Sequence, residues 1–193
     1  MAKMPSTFLN MVVTLFVVTL ISSAALGTVY ELTKGPLAQA AVLKKQQAIA
    51  QVVPAFDNQP VNDQYQVCED DDCLTLYPAR MGENLVGTAI ETVTRKGHGG
   101  EIRLMVGLLP DGSIQDTVVL DHKETPGLGD KMDRAKSNFP AQFQGKMVPP
   151  FRLAVKKDGG DVDAITAATI SSRAFCEAVD RAVQAYHKRG EGR

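Results

Sequence analysis

Asp163-Ala164-Ile165-Thr166-Ala167-Ala168-Thr169-Ile170-Ser171-Ser172 is a run of small and hydroxyl-bearing residues that opens directly onto a helix-patterned stretch. Beyond Thr169, apolar residues recur at Ile170, Ala174, Phe175, Ala178, Val179, Ala182, Val183 and Tyr186, the period of one buried helical face. Arg173, Glu177, Arg181, Gln184 and Lys188 fall on the other face, and Gly190 offers a stop. The spacing predicts a helix starting near Thr169, with unpaired backbone N–H groups and the positive end of its dipole facing whatever lies there. A phosphate suits such a place, and the hydroxyls of the run are atoms to which one could be bonded. Thr also caps helices well. From spacing alone, a cap at Thr169 or Thr166 is the simpler reading.

Upstream, residues 85–94 and 102–109 are rich in β-branched and aliphatic side chains and read as strands. Pro110-Asp111-Gly112 is a turn, in which Pro presets φ and Gly allows a positive φ, and residues 113–120 follow as a third strand of an antiparallel meander. A short helix near residues 131–137 and a further strand at 151–155 are expected before Gly159-Gly160 leads into the opening motif. Strands first and a packing helix last imply an α+β fold.

The chain has 193 residues, enough for one domain with a substantial core plus an appendage. Residues 8–30 hold no charge and are rich in Val, Leu, Phe and Ile. As a helix rising about 1.5 Å per residue, this run crosses a hydrocarbon core of about 30 Å with some tilt. A cleaved signal peptide is the competing reading, since Ser23-Ala24-Ala25 and Leu26-Gly27 supply small residues and Lys3 a basic start. The apolar run exceeds the usual signal-peptide core, which favours an uncleaved anchor. Residues 1–7 then form a short tail and residues 31–55 a juxtamembrane helix or linker, helical over 36–53 and ended by Pro54. Residues 56–193 form the soluble domain. Lys3 lies on one side of the span and Glu31, Lys34, Lys44 and Lys45 on the other, so charge alone does not orient it.

A net charge of −1 and the lack of a basic stripe argue against nucleic-acid binding. Cys68 and Cys73 flank Glu69-Asp70-Asp71-Asp72. A small disulfide loop and free thiols are equally open, and a metal site is the weakest reading. Cys176, on the C-terminal helix, reads as packing.

Two further stretches stand out. In His122-Lys123-Glu124-Thr125-Pro126-Gly127-Leu128-Gly129-Asp130, Pro126-Gly127 forces a tight turn, and the two glycines leave backbone amides uncovered. Such amides suit a flat, polar-edged ligand, although an ordinary connecting loop would look similar. His122 and Glu124 alone are a weak metal signal. Gly97-His98-Gly99-Gly100 is a flexible turn.

Taken in order, Gly97-His98-Gly99-Gly100-Glu101-Ile102, Val106-Gly107, Asp111-Gly112-Ser113-Ile114, the 122–130 loop and Val155-Lys156-Lys157-Asp158-Gly159-Gly160-Asp161 resemble the G subunit of the Rnf electron-transport complex. The segment 163–169 resembles that family's covalent flavin-attachment pattern, Ser/Thr–Gly/Ala–Ala–Thr. The likeness runs from Gly97 to Val183, and residues 54–84 carry little of it.

The resemblance implies an N-terminal transmembrane helix followed by an FMN-binding domain on the periplasmic side of a bacterial inner membrane, with an antiparallel sheet and packing helices. It implies FMN joined through its phosphate to the hydroxyl of Thr169 by a separate flavin transferase, which uses FAD and Mg²⁺. Thr166, Ala167 and Ala168 complete the attachment pattern, and Glu124, Thr125, Gly127 and Leu128 adjoin the flavin. The partners implied are the other Rnf subunits, which move electrons between ferredoxin and NAD and couple this to ion transport. The G subunit relays electrons and has no catalytic or metal-binding residue of its own. Three departures stand out: Thr166 where Ser is common, Ala167 where Gly is common, and His98 where Tyr is frequent. If position 167 needs φ > 0, Ala strains it by about 1–2 kcal/mol. His98 reads as an exposed turn residue. Alternative functions are the related C subunit of a sodium-translocating NADH:quinone reductase, with the same attachment chemistry, and a membrane-anchored flavin sensor or assembly module.

Overall fold

The computed structural model describes residues 7–69 and 72–191, so Lys3 and most of the expected N-terminal tail lie outside the described residues. The chain divides into two units, Met1–Leu43 and Lys44–Arg193.

The first unit is formed by helix α1 (Phe8–Val52) up to Leu43. Its apolar side chains, among them Phe8, Leu15, Phe16 and Leu20, face outward. Among the described residues, α1 is the helix long and apolar enough to cross a membrane. The hydroxyls of Thr14, Thr28 and Thr33 donate to carbonyls one turn back at 2.7, 2.8 and 2.7 Å. This satisfies polar groups that hydrocarbon could not. Pro36 lies inside α1, so the helical pattern of residues 36–53 continues the apolar helix instead of starting a new one.

The second unit contains the last turns of α1 and a five-stranded antiparallel meander. Its strands are β1 (Tyr65–Glu69), β2 (Asp72–Met81), β3 (Asn84–Thr94), β4 (Ile102–Leu108) and β5 (Ile114–His122), in that spatial order. The three strands of the expected meander are β3, β4 and β5, and β1 and β2 are additional. Cys68 and Cys73 stand opposite each other on β1 and β2 and are joined in a disulfide.

Alternation along the strands makes two cores. One face carries Leu76, Ile90, Leu104, Val106 and Ile114. It packs on Phe175, Ala178, Val179, Ala182 and Val183 of helix α2 (Thr169–Glu191). Phe139 and Phe143 close this core against Phe175, with ring centroids 5.2 and 5.0 Å away. The other face carries Tyr77, Ala89 and Met105 and is covered by Ala48, Ile49 and Val52 of α1. At Gly107 the strand and helix meet so closely that a Cβ would fall 1.8 Å from the Val52 carbonyl oxygen.

Three expectations need correction. Residues 151–155 form no strand; Val155 makes a single parallel bridge to Val162, and Phe151 and Leu153 pack on the core as loop residues. The helix expected near residues 131–137 is a 3₁₀ turn at Gly129–Met132 followed by a bonded turn from Asp133. Gly190 does not stop α2, which continues to Glu191 at the end of the described residues.

Candidate functional site

Three connecting segments converge where α2 begins. They are the turn 97–100 between β3 and β4, the loop 123–129 after β5, and the approach 163–168. Between them lies a cleft of about 340 Å³, at the small end of ligand-pocket sizes.

The approach to α2 is held by a compact set of local bonds. The Ala168 N–H donates to the Ile165 carbonyl at 3.0 Å. The Ser172 hydroxyl donates to the Ala168 carbonyl at 3.0 Å and accepts the Ile165 N–H at 2.9 Å. Ile165 and Ala168 are buried beneath this knot. The chain closes it by turning left-handed at Ala167, whose φ of 61° is positive, alone among the described non-glycine residues. Thr169 is the first helical residue and is half-buried at the cleft. Its hydroxyl has no hydrogen-bond partner among the described residues, so it is not occupied in capping. Ser172 ties the approach to the helix without capping it, since the N–H it accepts is that of Ile165, before α2. The first N–H groups of α2 lack intrahelical acceptors, as at any helix start.

The opposite wall is the 123–129 loop. Thr125 and Leu128 line the cleft, and Leu128 is exposed. Gly127 takes φ 79°, which lets the Leu128 N–H return to the Thr125 carbonyl at 3.1 Å. The Lys136 ammonium, 2.8 Å from Asp130, and the Gly127 N–H hold the Asp130 carboxyl below the usual carboxylate range and pin the end of the loop. Glu124 is 5% exposed. Its carboxylate accepts the Gly99 N–H at 3.0 Å and the Ser171 hydroxyl at 2.7 Å, and its own N–H donates to His122 Nδ1 at 3.1 Å.

Of the residues singled out in the sequence, Glu124, Thr125, Leu128, Ala167, Ala168 and Thr169 line this one cleft. Gly127 shapes the loop from outside the lining, and Thr166 is exposed beside it. Gly129, the second glycine of the 122–130 loop, lines it too, and three lining residues have no such role in the sequence reading: His98, Ile170 and Ser171. His98 is exposed as expected, yet it forms the cleft edge. Ile170, read as part of the buried face, is 50% exposed. With Leu128, 41% exposed, it gives the cleft an apolar rim.

A larger cleft of about 580 Å³ lies beside Cys73 and carries none of these residues. Its charges largely answer one another: Lys45 with Glu91 at 2.9 Å, Arg103 with Glu101 at 2.8 Å, Lys96 with Glu177 at 2.9 Å. The smaller cleft, not the larger, holds a free hydroxyl at a helix start.

Residues 97–184, which contain every wall of the smaller cleft, match the FMN-binding domain family. The fold and site thus define a flavin-domain protein with an N-terminal apolar helix. The G subunit of the ion-translocating oxidoreductase complex of Shewanella amazonensis is 37% identical over 174 residues, covering 84% of this chain and 80% of that protein. The protein of the same name from Yersinia pestis is 40% identical over 167 residues, covering 81% and 79%. That of Vibrio cholerae is 35% identical over 173 residues, covering 85% and 83%. The chain belongs to this family of ion-translocating oxidoreductase G subunits, the one its ordered motifs resemble.

Proposed function

We propose that this protein is the electron-relay subunit of a membrane-bound, ion-translocating oxidoreductase of the Rnf type, carrying electrons on FMN bonded through its phosphate to Thr169. The observation that carries the reading is the unpartnered Thr169 hydroxyl, half-buried in the family's cleft at the first turn of α2.

The residues present fit the group. A phosphodiester on Thr169 keeps one negative charge beside the free N–H groups of α2, an interaction of about 0.3–1 kcal/mol. That is too small to retain a cofactor, so a covalent bond is the effective tether; it also keeps the ring at high local concentration near its cleft. Leu128 and Ile170, exposed at the cleft, offer apolar surface to a flat ring. FMN supplies the reversible electron carriage, and the protein supplies orientation and local electrostatics.

Thr is a weak nucleophile that needs a base or a metal. Asp163, the nearest carboxylate along the chain, is exposed and paired with Lys156 at 2.8 Å. A separate transferase therefore suits the chemistry. The Thr169 oxygen loses its proton and bonds to the FMN phosphorus, while the anhydride of FAD breaks and AMP leaves. The domain stands on the periplasmic side in this reading. The Cys68–Cys73 disulfide supports that placement, since such bonds persist in oxidising compartments.

Co-expression with a flavin transferase, followed by denaturing electrophoresis under illumination, tests the linkage. A fluorescent band is expected from the wild type and none from Thr169→Ala. Fluorescence surviving in Thr169→Ala would move the bond elsewhere, with Thr166 the first alternative.

A further inference from the structure

We infer that Glu124 is a positioning residue: its buried carboxylate ties the 123–129 loop to the turn 97–100 and to the first turn of α2, and holds the cleft in shape for modification and ring seating. This rests on the flavin reading of the site.

The neighbours of the carboxylate come from two separate elements. One oxygen accepts the Gly99 N–H, from the turn between β3 and β4. The other accepts the Ser171 hydroxyl, from the first turn of α2. Glu124 itself belongs to the loop that carries Thr125 and Leu128. One side chain thus bonds the turn 97–100 and the start of α2 while standing in the loop. A buried carboxylate left without donors is costly, so this node is favourable only with both bonds in place.

The glycines around the node point the same way. A Cβ on Gly97 would sit 2.6 Å from one Glu124 oxygen, and one on Gly129 would sit 2.5 Å from the other and 2.7 Å from the Ser171 oxygen. A Cβ on Gly99 would fall 1.9 Å from the Lys123 carbonyl oxygen. Three glycines on two of the segments therefore leave room for one carboxylate and the backbone that bears it. The first glycine motif, the 122–130 loop and the hydroxyl pair after Thr169 are distant in sequence, and Glu124 joins them.

Glu124→Ala and Glu124→Gln separate this role from general stability. Gln has the same length, keeps an acceptor for the Gly99 N–H, and offers an N–H₂ to Ser171, whose hydroxyl can turn to accept. On the protein without flavin, amide hydrogen exchange at residues 97–100, 125–129 and 169–171 is expected to accelerate roughly tenfold or more in Glu124→Ala and to stay near wild type in Glu124→Gln. With the transferase, Glu124→Ala is expected to acquire flavin roughly tenfold more slowly and to show lower fluorescence anisotropy of the attached ring, with Glu124→Gln restoring both. Arg134→Ala, which removes the ion pair with Asp116, controls for loss of stability and should leave the anisotropy at its wild-type value. Unchanged exchange in Glu124→Ala overturns the inference whether or not flavin attaches. Absence of flavin in the wild type, with the exchange pattern as expected, overturns the linkage at Thr169 and leaves the node standing. Rescue failing in Glu124→Gln would mean that hydrogen bonding does not hold the walls.

Discussion

Ala167 sits at φ 61°, a conformation that favours Gly, and it should be less stable there than Gly would be. An L-residue in the left-handed region costs about 1–2 kcal/mol relative to Gly. Introducing Gly also loosens the unfolded chain, which returns about 0.4–1 kcal/mol. Ala167 is exposed, so deleting its methyl group forfeits little packing. The balance for Ala167→Gly is a stabilisation of roughly 0.8 kcal/mol, or about 2–3 °C in Tm for a domain of this size. The adjacent Ala168 carries the internal control. It is 7% exposed, belongs to the main core and lacks a positive φ. Ala168→Gly should therefore destabilise by about 1–2 kcal/mol through lost packing and added chain freedom. Thermal unfolding of the full chain in detergent, followed by circular dichroism, reads both. The same substitution at neighbouring positions must move Tm in opposite directions. A fall in Tm for Ala167→Gly, or equal signs for the pair, would refute the strain argument.

Gly107→Ala places a methyl 1.8 Å from the Val52 carbonyl oxygen and should destabilise the domain by about 1–3 kcal/mol or more, measured by urea unfolding. Thiol chemistry checks the cysteines. The unreduced, denatured chain should titrate one thiol, from Cys176, because Cys68 and Cys73 are bonded. In the native protein, burial pushes the Cys176 thiol up to about 12. The thiolate fraction at pH 8 is then roughly one in ten thousand. Alkylation should be negligible until the pH nears that value or the domain unfolds, and rapid native labelling at pH 8 would contradict the buried placement.

What can be read in the sequence follows from how local each signal is. Strands β3 to β5 are continuous aliphatic or β-branched runs, and the Pro110-Asp111-Gly112 turn announces the hairpin between the last two. β1 and β2 leave no such mark, because Tyr65–Glu69 is short and polar, while Asp72–Met81 contains Pro78 and Arg80. Those strands are specified by pairing, β2 with β3 and β1 with β2, more than by their own pattern. Residues 151–155 mislead in the opposite sense. Phe151, Leu153 and Val155 alternate as a strand would, yet the partner of Val155 is the next loop, reached at Val162. The start of α2 is legible from its period. The exposure of Ile170 is not, because a helical stripe says which face is apolar but not where the core ends and a cleft begins.

Four exceptions to ordinary folding rules meet at one place in this domain. A non-glycine residue takes a left-handed φ at Ala167. Large apolar side chains stand exposed at Leu128 and Ile170, and a carboxylate is buried at Glu124. Each is unfavourable taken alone, by local strain, by apolar surface left in water, or by loss of hydration. All four residues line the single cleft of about 340 Å³. Single exceptions occur elsewhere in the domain, where Met81 and Met147 are exposed and Asp116 and Asp130 are buried; what sets this cleft apart is that four meet in it. The proposed flavin, covering the apolar rim and bonded at the helix start, would account for that meeting. Several local inconsistencies meeting in one cleft are the pattern expected of a site shaped for a ligand.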